Sequence, residues 1–264
     1  IIASSLWSVT QRNLQTQPVA VAEEPAAITQ PEPQPVVVEQ ATPPDEPEPD
    51  AESTLHEQLQ LAEELTRSDY ALAELFEIWD IEYRTGGRDT CAQASDAGLT
   101  CLYQRASWTG LQQMDRPAIL TLVDNDGSSH SVVLTAINGG EAELSLGGVR
   151  VTHPVTEIIG YWFGDFMLLW RPPTGSAVSL GPGSQGPGVS WLRNSLASID
   201  GRYASSNPLS ENFDSELEQI VRRFQQEHRL DVDGLAGQQT QIVINSLLAV
   251  EGTPRLSTPR LAQD

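Results

Sequence analysis

Residues 117–146, PAILTLVDNDGSSHSVVLTAINGGEAELSL, decide how the middle of the chain folds. Three apolar runs, PAILTLV (117–123), HSVVLTAI (130–137) and EAELSL (141–146), are separated by DNDG and NGG. Short runs of Val, Ile and Leu bounded by Asp-Gly or Asn-Gly read as strands joined by tight turns. The stretch therefore predicts three consecutive antiparallel strands. LTCLYQ (99–104) before it and FMLLWRP (166–172) after it carry the same signature.

Upstream the period changes. In residues 55–83, apolar side chains fall at helical spacing: Leu55, Leu59, Ala62 and Leu65, then Tyr70, Ala73, Leu75, Phe76 and Trp79. Ser68 is placed to cap the second of these helices, and TGG at 85–87 ends it. DTCAQASDAG (89–98) predicts a short third helix that stops at Gly98. Residues 55–173 thus read as an α+β domain, with helices first and an antiparallel sheet after them.

Downstream, TGSAVSLGPGSQGPG (174–188) has linker composition, and the period becomes helical again from 188 to 250. This predicts a linker over 174–187, a small all-α domain over 188–250 and a frayed tail over 251–264. Toward the N-terminus, residues 15–52 consist mainly of Pro, Glu, Gln, Ala and Val without a period. They predict a disordered, semi-stiff spacer within residues 11–54, with a reach on the order of 100 Å when extended. Residues 1–10, IIASSLWSVT, are too short to span a bilayer, which takes about 20 residues. The expectation is that they leave a membrane helix preceding residue 1, with Trp7 in the interfacial belt. A plain apolar N-terminus is the other reading.

The bulk numbers exclude some functions. A net charge of −21 and a pI near 4.4 argue against nucleic acid and against a cationic membrane-surface helix. His56, His130, His153 and His228 are scattered, and no C-x-x-C or H-x-x-x-H spacing exists, so no metal or other cofactor is expected. No Walker A motif occurs.

The C-terminal helices carry the sharpest motif. It runs Phe213-Asp214, Leu217, Val221, Phe224-Gln225, Arg229-Leu230, Asp233-Gly234, Gly237 and Thr240. This pattern resembles the peptidoglycan-binding type 1 domain, a three-helix bundle. The resemblance implies a wall-binding surface drawn from Arg202, Tyr203, Phe213, Asp214, Gln225, Asp233, Gly234, Gly237 and Thr240. Two positions depart from the pattern: Arg229, where the family often has Gly, and Gln241, where an aromatic is frequent. Leu217, Val221, Phe224, Leu230 and Leu248 read as core, and Asp233, Gly234 and Gly237 read equally as turn formers. A module that binds protein rather than wall is the other reading.

The α+β part is similar to the papain-like peptidases that remove double-glycine leaders. The similarity rests on Gly98-Leu99, the helix of Leu111, RPAIL (116–120), HSVVL (130–134) and WFGDFMLLW (162–170). It implies that His130 occupies the place of the general base. Aligning Ala73 and Leu75 with the family's A-x-L puts Tyr70 at the nucleophile position, and LGG (146–148) replaces the Asp-Pro that orients the base. A cysteine peptidase needs a thiolate within reach of its base and a third group to fix the ring. The reading is a degenerate peptidase with a vestigial His130 and no catalytic residue. The alternative is an active cysteine peptidase or cell-wall hydrolase using Cys91 and His130.

Cys91 and Cys101 lie ten residues apart, on the third helix and on the strand that follows Gly98-Leu99. Such a return can bring two Cα atoms within about 6 Å, and outside the cytoplasm such a pair reads as a disulfide. A reactive Cys91 is the alternative.

The order of membrane exit, spacer, peptidase-like domain and wall-binding domain resembles the periplasmic region of the general secretion pathway protein A family. The resemblance implies a periplasmic location, an inner-membrane anchor and a scaffolding role in passing the type II secretin through peptidoglycan. The implied partners are peptidoglycan, general secretion pathway protein B, the secretin and further copies of the chain.

Overall fold

The computed structural model describes residues 53–86, 89–175 and 177–257. The membrane exit, nearly all of the spacer and the last residues of the tail lie outside them. Among the described residues no helix is long and apolar enough to cross a membrane.

Residues 53–172 form a six-stranded antiparallel sheet with helices on both faces. The chain enters through α1 (Leu55–Leu61), a 3-10 turn (Glu63–Thr66), α2 (Ser68–Ile78) and α3 (Thr90–Asp96). It continues through β1 (Thr100–Arg105), α4 (Trp108–Met114), β2 (Ala118–Val123), β3 (Ser129–Asn138) and β4 (Glu141–Leu146). β5 (Val149–Pro154), α5 (Val155–Tyr161) and β6 (Trp162–Trp170) complete the sheet, in spatial order β1-β6-β2-β3-β4-β5.

Local chemistry explains the starts of these helices. Thr54 and Glu57 make a reciprocal capping box on α1, Asp89 accepts from the Cys91 and Ala92 amides, and Ser107 accepts from Gly110. Ser68 is the first residue of α2 rather than its cap; Arg67 holds the cap position and makes no side-chain cap bond. α5 and β5 add to the elements expected from sequence. β5 is an edge strand with several residues open to solvent, so its apolar alternation is weak.

Strand alternation divides the core in two. On one face, Ala71, Leu75, Phe76 and Trp79 of α2 pack with Ala94 and Leu99 against Ile119, Val133, Met167 and Leu169. On the other, Leu55 and Leu59 of α1, Leu111 and Met114 of α4, and Ile158 of α5 pack against Leu120, Leu122, Val132, Leu134 and Leu168. α2 therefore covers the Val133 face, and the Val132 and Leu134 side chains point away from it.

Residues 187–247 form the helical domain: α6 (Pro187–Ile199), α7 (Ser215–Glu227) and α8 (Gln238–Leu247). Asp214 caps α7 by accepting from the Leu217 amide. Leu217, Ile220, Val221 and Phe224 then fill one face of α7, and the apolar core runs on into the α4 side of the sheet.

The two domains are joined by packing as well as by chain. The Ser246 hydroxyl donates to the Met114 carbonyl at 2.7 Å, and Asn245 donates to the Arg171 carbonyl. The Gly/Pro segment is held to the helical domain: Leu180 pairs with Ala236 in both directions, and Gln241 donates to the Val178 carbonyl. Over 251–257, the described part of the tail, the structure differs from the frayed end expected. Leu256 is buried and accepts from the Ile137 amide, while Arg255 and Ser257 bind the Asp115 carboxylate. An apolar side chain and a carboxylate at the end of α4 supply what a free tail lacks.

Candidate functional site

His130 is the second residue of β3 and shares the face of Val132 and Leu134, away from α2. It is 1% exposed. Its Nδ1 lies 2.8 Å from the Thr66 hydroxyl, and its Nε2 lies 3.4 Å from Asp124 Oδ2. The Thr66 hydroxyl lies within hydrogen-bond reach of both the Glu63 carbonyl and His130 Nδ1. Burial acts to raise the Asp124 carboxyl, but hydrogen bonds from the Ser128 amide, the His130 ring and the Asp126 amide outweigh it and hold it below its ordinary range. A hydroxyl, an imidazole and a carboxylate in sequence have the composition of a catalytic triad. Here all three are enclosed: Thr66 is 1% exposed and the Asp124 side chain 3%, which leaves a substrate no path to the hydroxyl. The array ties the 3-10 turn and the 124–128 turn to β3.

The cleft at the start of α2 opens on the opposite face. Its volume is about 460 Å³, and Ser68, Leu72, Tyr103, Thr121, Ser131 and Met167 line it. Apart from hydroxyls and apolar side chains it holds Gln104 and Asp165, and neither a cysteine nor His130 is among its lining residues. Tyr70 is half-exposed one turn into α2; the hydroxyl that meets His130 belongs to Thr66. Leu146, Gly147 and Gly148 occupy the β4–β5 turn. Gly147 has φ +62°, and a Cβ there would come within 2.6 Å of Leu65 Cβ, so the turn is built for close approach to the 3-10 segment.

Cys91 and Cys101 form a disulfide with a Cα separation of 5.6 Å, and the chain has no other cysteine. His153 pairs with Glu157 and Gln58. Among the described residues no cluster of three or more His, Cys, Asp or Glu side chains could hold a metal ion.

In the helical domain, the motif residues divide by exposure. Gln225 is 1% exposed; its amide donates to Asp233, the Leu235 carbonyl and Thr240, and its oxygen accepts from the Gly234 amide. This network fixes the 231–237 loop between α7 and α8. Gly234 has φ +76° and is buried, with Arg222 and Glu218 folded over it. Phe213, Thr240 and Tyr203 are buried too. Tyr203 donates to Glu227, and burial together with that carboxylate pushes its phenol up to about 12. Arg202 is exposed and pairs with Asp200 and Glu227. Asp214 is bound by the buried guanidinium of Arg193. Burial acts to raise the Asp214 carboxyl, but the Leu217 amide and Arg193 prevail and hold it low. Of the nine residues named from sequence, Arg202 and Asp233 present their side chains most openly, whereas Phe213, Tyr203, Gln225 and Thr240 are framework.

With this geometry established, two domain families match the chain. Residues 57–172 match the GspA, peptidase C39-like domain, and residues 185–244 match the putative peptidoglycan binding domain. Over these residues the chain carries a GspA, peptidase C39-like domain followed by a putative peptidoglycan binding domain. General secretion pathway protein A of Aeromonas hydrophila is 31% identical over 202 residues, which cover 74% of this chain and 36% of that protein. Putative general secretion pathway protein A of Escherichia coli K12 is 27% identical over 184 residues, 69% of this chain and 36% of that protein. This chain thus spans about a third of these relatives. A solved structure that it resembles is a periplasmic domain of the EpsAB fusion protein of the Vibrio vulnificus type II secretion system. That match has 27% identity and a TM-score of 0.45, covering 72% of this chain and 81% of that one.

The matched regions are the sheet domain and the helical bundle described above. The Gln225–Asp233–Thr240 network and the Asp115 anchorage are the features that sequence reasoning missed. The Gln225, Asp233-Gly234 and Thr240 spacing signals the first; nothing local signals the second.

Proposed function

We propose that this chain is a non-catalytic, wall-binding scaffold from the periplasmic part of a type II secretion assembly protein. It would hold peptidoglycan through the helical domain and present the peptidase-like domain to a protein partner. The observation that carries the non-catalytic reading is the commitment of all three groups a cysteine peptidase would use. Both cysteines are spent on a disulfide, and His130 is buried against Thr66 and Asp124 on the face away from the cleft. The peptidoglycan-binding family match over 185–244 supports the wall-binding half. Its partners would be general secretion pathway protein B and the secretin, and it would have an inner-membrane anchor and form homo-oligomers; what supports this is that the relatives are general secretion pathway proteins. The packing of the two domains on one another suits a tether, because load applied to the helical bundle passes directly into the sheet.

The test is co-sedimentation of the whole chain with purified sacculi, against crosslinked dextran as an inert control. Selective pelleting that free muropeptides reverse is the expected result. A chain that stays in the supernatant with sacculi overturns the wall-binding reading. Cleavage of a double-glycine leader peptide or of sacculi overturns the non-catalytic one.

A further inference from the structure

Arg116 follows the C-terminal cap of α4 and precedes β2, and its side chain is buried at 2% exposure. Its Nη1 donates to the Asp115 carbonyl at 2.9 Å and, at 3.4 Å, to that of Met114. Its Nε is buried without a partner. Among the described residues no carboxylate pairs with the guanidinium. The neighbouring Asp115 carboxylate is occupied by Arg255 Nε and by the amide and hydroxyl of Ser257. Burial pushes the Arg116 guanidinium down to about 10, only partly offset by Asp115, and Arg255 adds to the effect. A buried cation without its counter-charge is costly, and proteins keep such groups where something else completes them.

Arg116 lines a cavity of about 240 Å³ where the two domains meet. Arg171 at the end of β6, Pro172, Trp191 of α6, Asn245 of α8 and Thr253 of the tail form its other walls. Arg171 has no ion pair among the described residues, and Asn245 spends its amide on the Arg171 carbonyl while its own oxygen stays uncommitted. In a chain of net charge −21, two unpaired arginines facing one apolar-walled cavity mark a local reversal of charge. The planar guanidinium matches a carboxylate with two parallel hydrogen bonds. The volume is below that of ordinary small-molecule sites, so the cavity suits the end of a ligand rather than its body.

We propose that this interdomain cavity is a carboxylate-binding subsite that takes the terminal D-alanine carboxylate of a peptidoglycan stem peptide. Arg116 and Arg171 grip the carboxylate, and Trp191 and Pro172 flank the methyl group. The assignment rests on the wall-binding reading for its choice of carboxylate. Among the parts of peptidoglycan, the stem-peptide ends carry that charge next to a small side chain, whereas the acetylated sugars present neutral amides and hydroxyls. A ligand held here touches both domains at once, so occupancy would stiffen the seam between them.

The probe is acetyl-Lys(acetyl)-D-Ala-D-Ala, titrated into the whole chain with tryptophan fluorescence and calorimetry as readouts. Its C-terminal amide and its all-L isomer serve as comparisons. The free acid is expected to bind at least 10-fold more tightly than the amide, and more tightly than the all-L peptide. Arg171→Gln, at an exposed position, is expected to weaken the acid several-fold without affecting the fold, and Arg116→Gln to abolish binding. Thermal melting checks the folding of the Arg116 variant; if it does not fold, Arg171→Gln alone decides. Equal binding of acid and amide, or no effect of Arg171→Gln, overturns the subsite. All-L binding as tight as D overturns the stem-peptide assignment in favour of a protein C-terminus. Sacculus co-sedimentation of the parent chain separates the two proposals: equal binding of acid and amide by a chain that still pellets with sacculi sinks the subsite alone.

Discussion

Asp115 closes α4 in a left-handed cap conformation and at the same time receives Arg255, 140 residues further along the chain, at 2.7 Å. Ser257 adds its amide and hydroxyl to the same carboxylate. The tail thereby crosses from the helical bundle back to the sheet domain. Charge-assisted bonds in a site this enclosed are worth more than surface pairs. Asp115→Ala should cost about 2 kcal/mol and release residues 251–257. Hydrogen exchange would show that release as lost protection at the Ser257 amide.

The β4–β5 turn gives a sharper steric test. Gly147→Ala places a methyl 2.6 Å from Leu65 Cβ and 2.8 Å from the Leu65 carbonyl, at φ +62°. Gly139→Ala has a nearly equal φ of +60° with nothing within 4 Å. Backbone strain alone predicts about 1 kcal/mol for Gly139→Ala. Gly147→Ala should cost about 3 kcal/mol, because neither neighbour can give way without moving the segment that carries Thr66. Chemical denaturation of the two variants isolates the clash as their difference.

The Cys91–Cys101 bridge closes a short loop between α3 and β1. Chain-entropy arguments give a loop of this size about 2–3 kcal/mol. Reduction should lower Tm by several degrees without dissolving the sheet, since Leu99 and Ala94 remain packed under α2. Mass spectrometry after alkylation under denaturing, non-reducing conditions should find neither thiol labelled.

Much of this architecture was legible because its signals are local. The alternation of 117–146 and the turn residues between its runs placed β2, β3 and β4, and Leu217, Val221 and Phe224 placed the buried face of α7. The environment of His130 was legible only in half. Alternation pairs it with Val132 and Leu134, but which sheet face α2 covers depends on how the chain crosses at Thr66. The seam between the domains was not legible at all. Ser246 and Met114 are 132 residues apart, and each reads locally as an ordinary helix residue.

Acid should destabilise the fold through carboxylates that the native state keeps ionised. Asp124 and Asp214 are both held below the ordinary aspartate value, which is about 4 when unfolded. The unfolded chain therefore takes up protons first as pH falls. The stability these groups contribute is complete above about pH 4 and is lost as pH drops through their lower native values. Asp214→Asn should flatten that acid limb. At pH 7 it should also cost about 1–2 kcal/mol, a figure discounted because the carboxylate is 40% exposed although its partner Arg193 is buried. Urea titrations between pH 2 and 7 would register both effects.

Gln225 and Arg202 separate framework from contact within the helical domain. Gln225→Ala removes the partner of the Gly234 amide and of Thr240 in an enclosed site, so it should cost about 2–4 kcal/mol and loosen the 231–237 loop. Its sacculus binding should fall in parallel with its folded fraction and return when the temperature is lowered. Arg202→Ala breaks exposed pairs with Asp200 and Glu227 and should leave Tm almost unchanged. If Arg202 meets the wall, its loss lowers pelleting several-fold at every temperature. If pelleting of Arg202→Ala equals that of the parent chain, the contact surface lies elsewhere on the bundle. Asp233→Ala, which also removes a bond to Gln225, is not a clean substitute for this comparison.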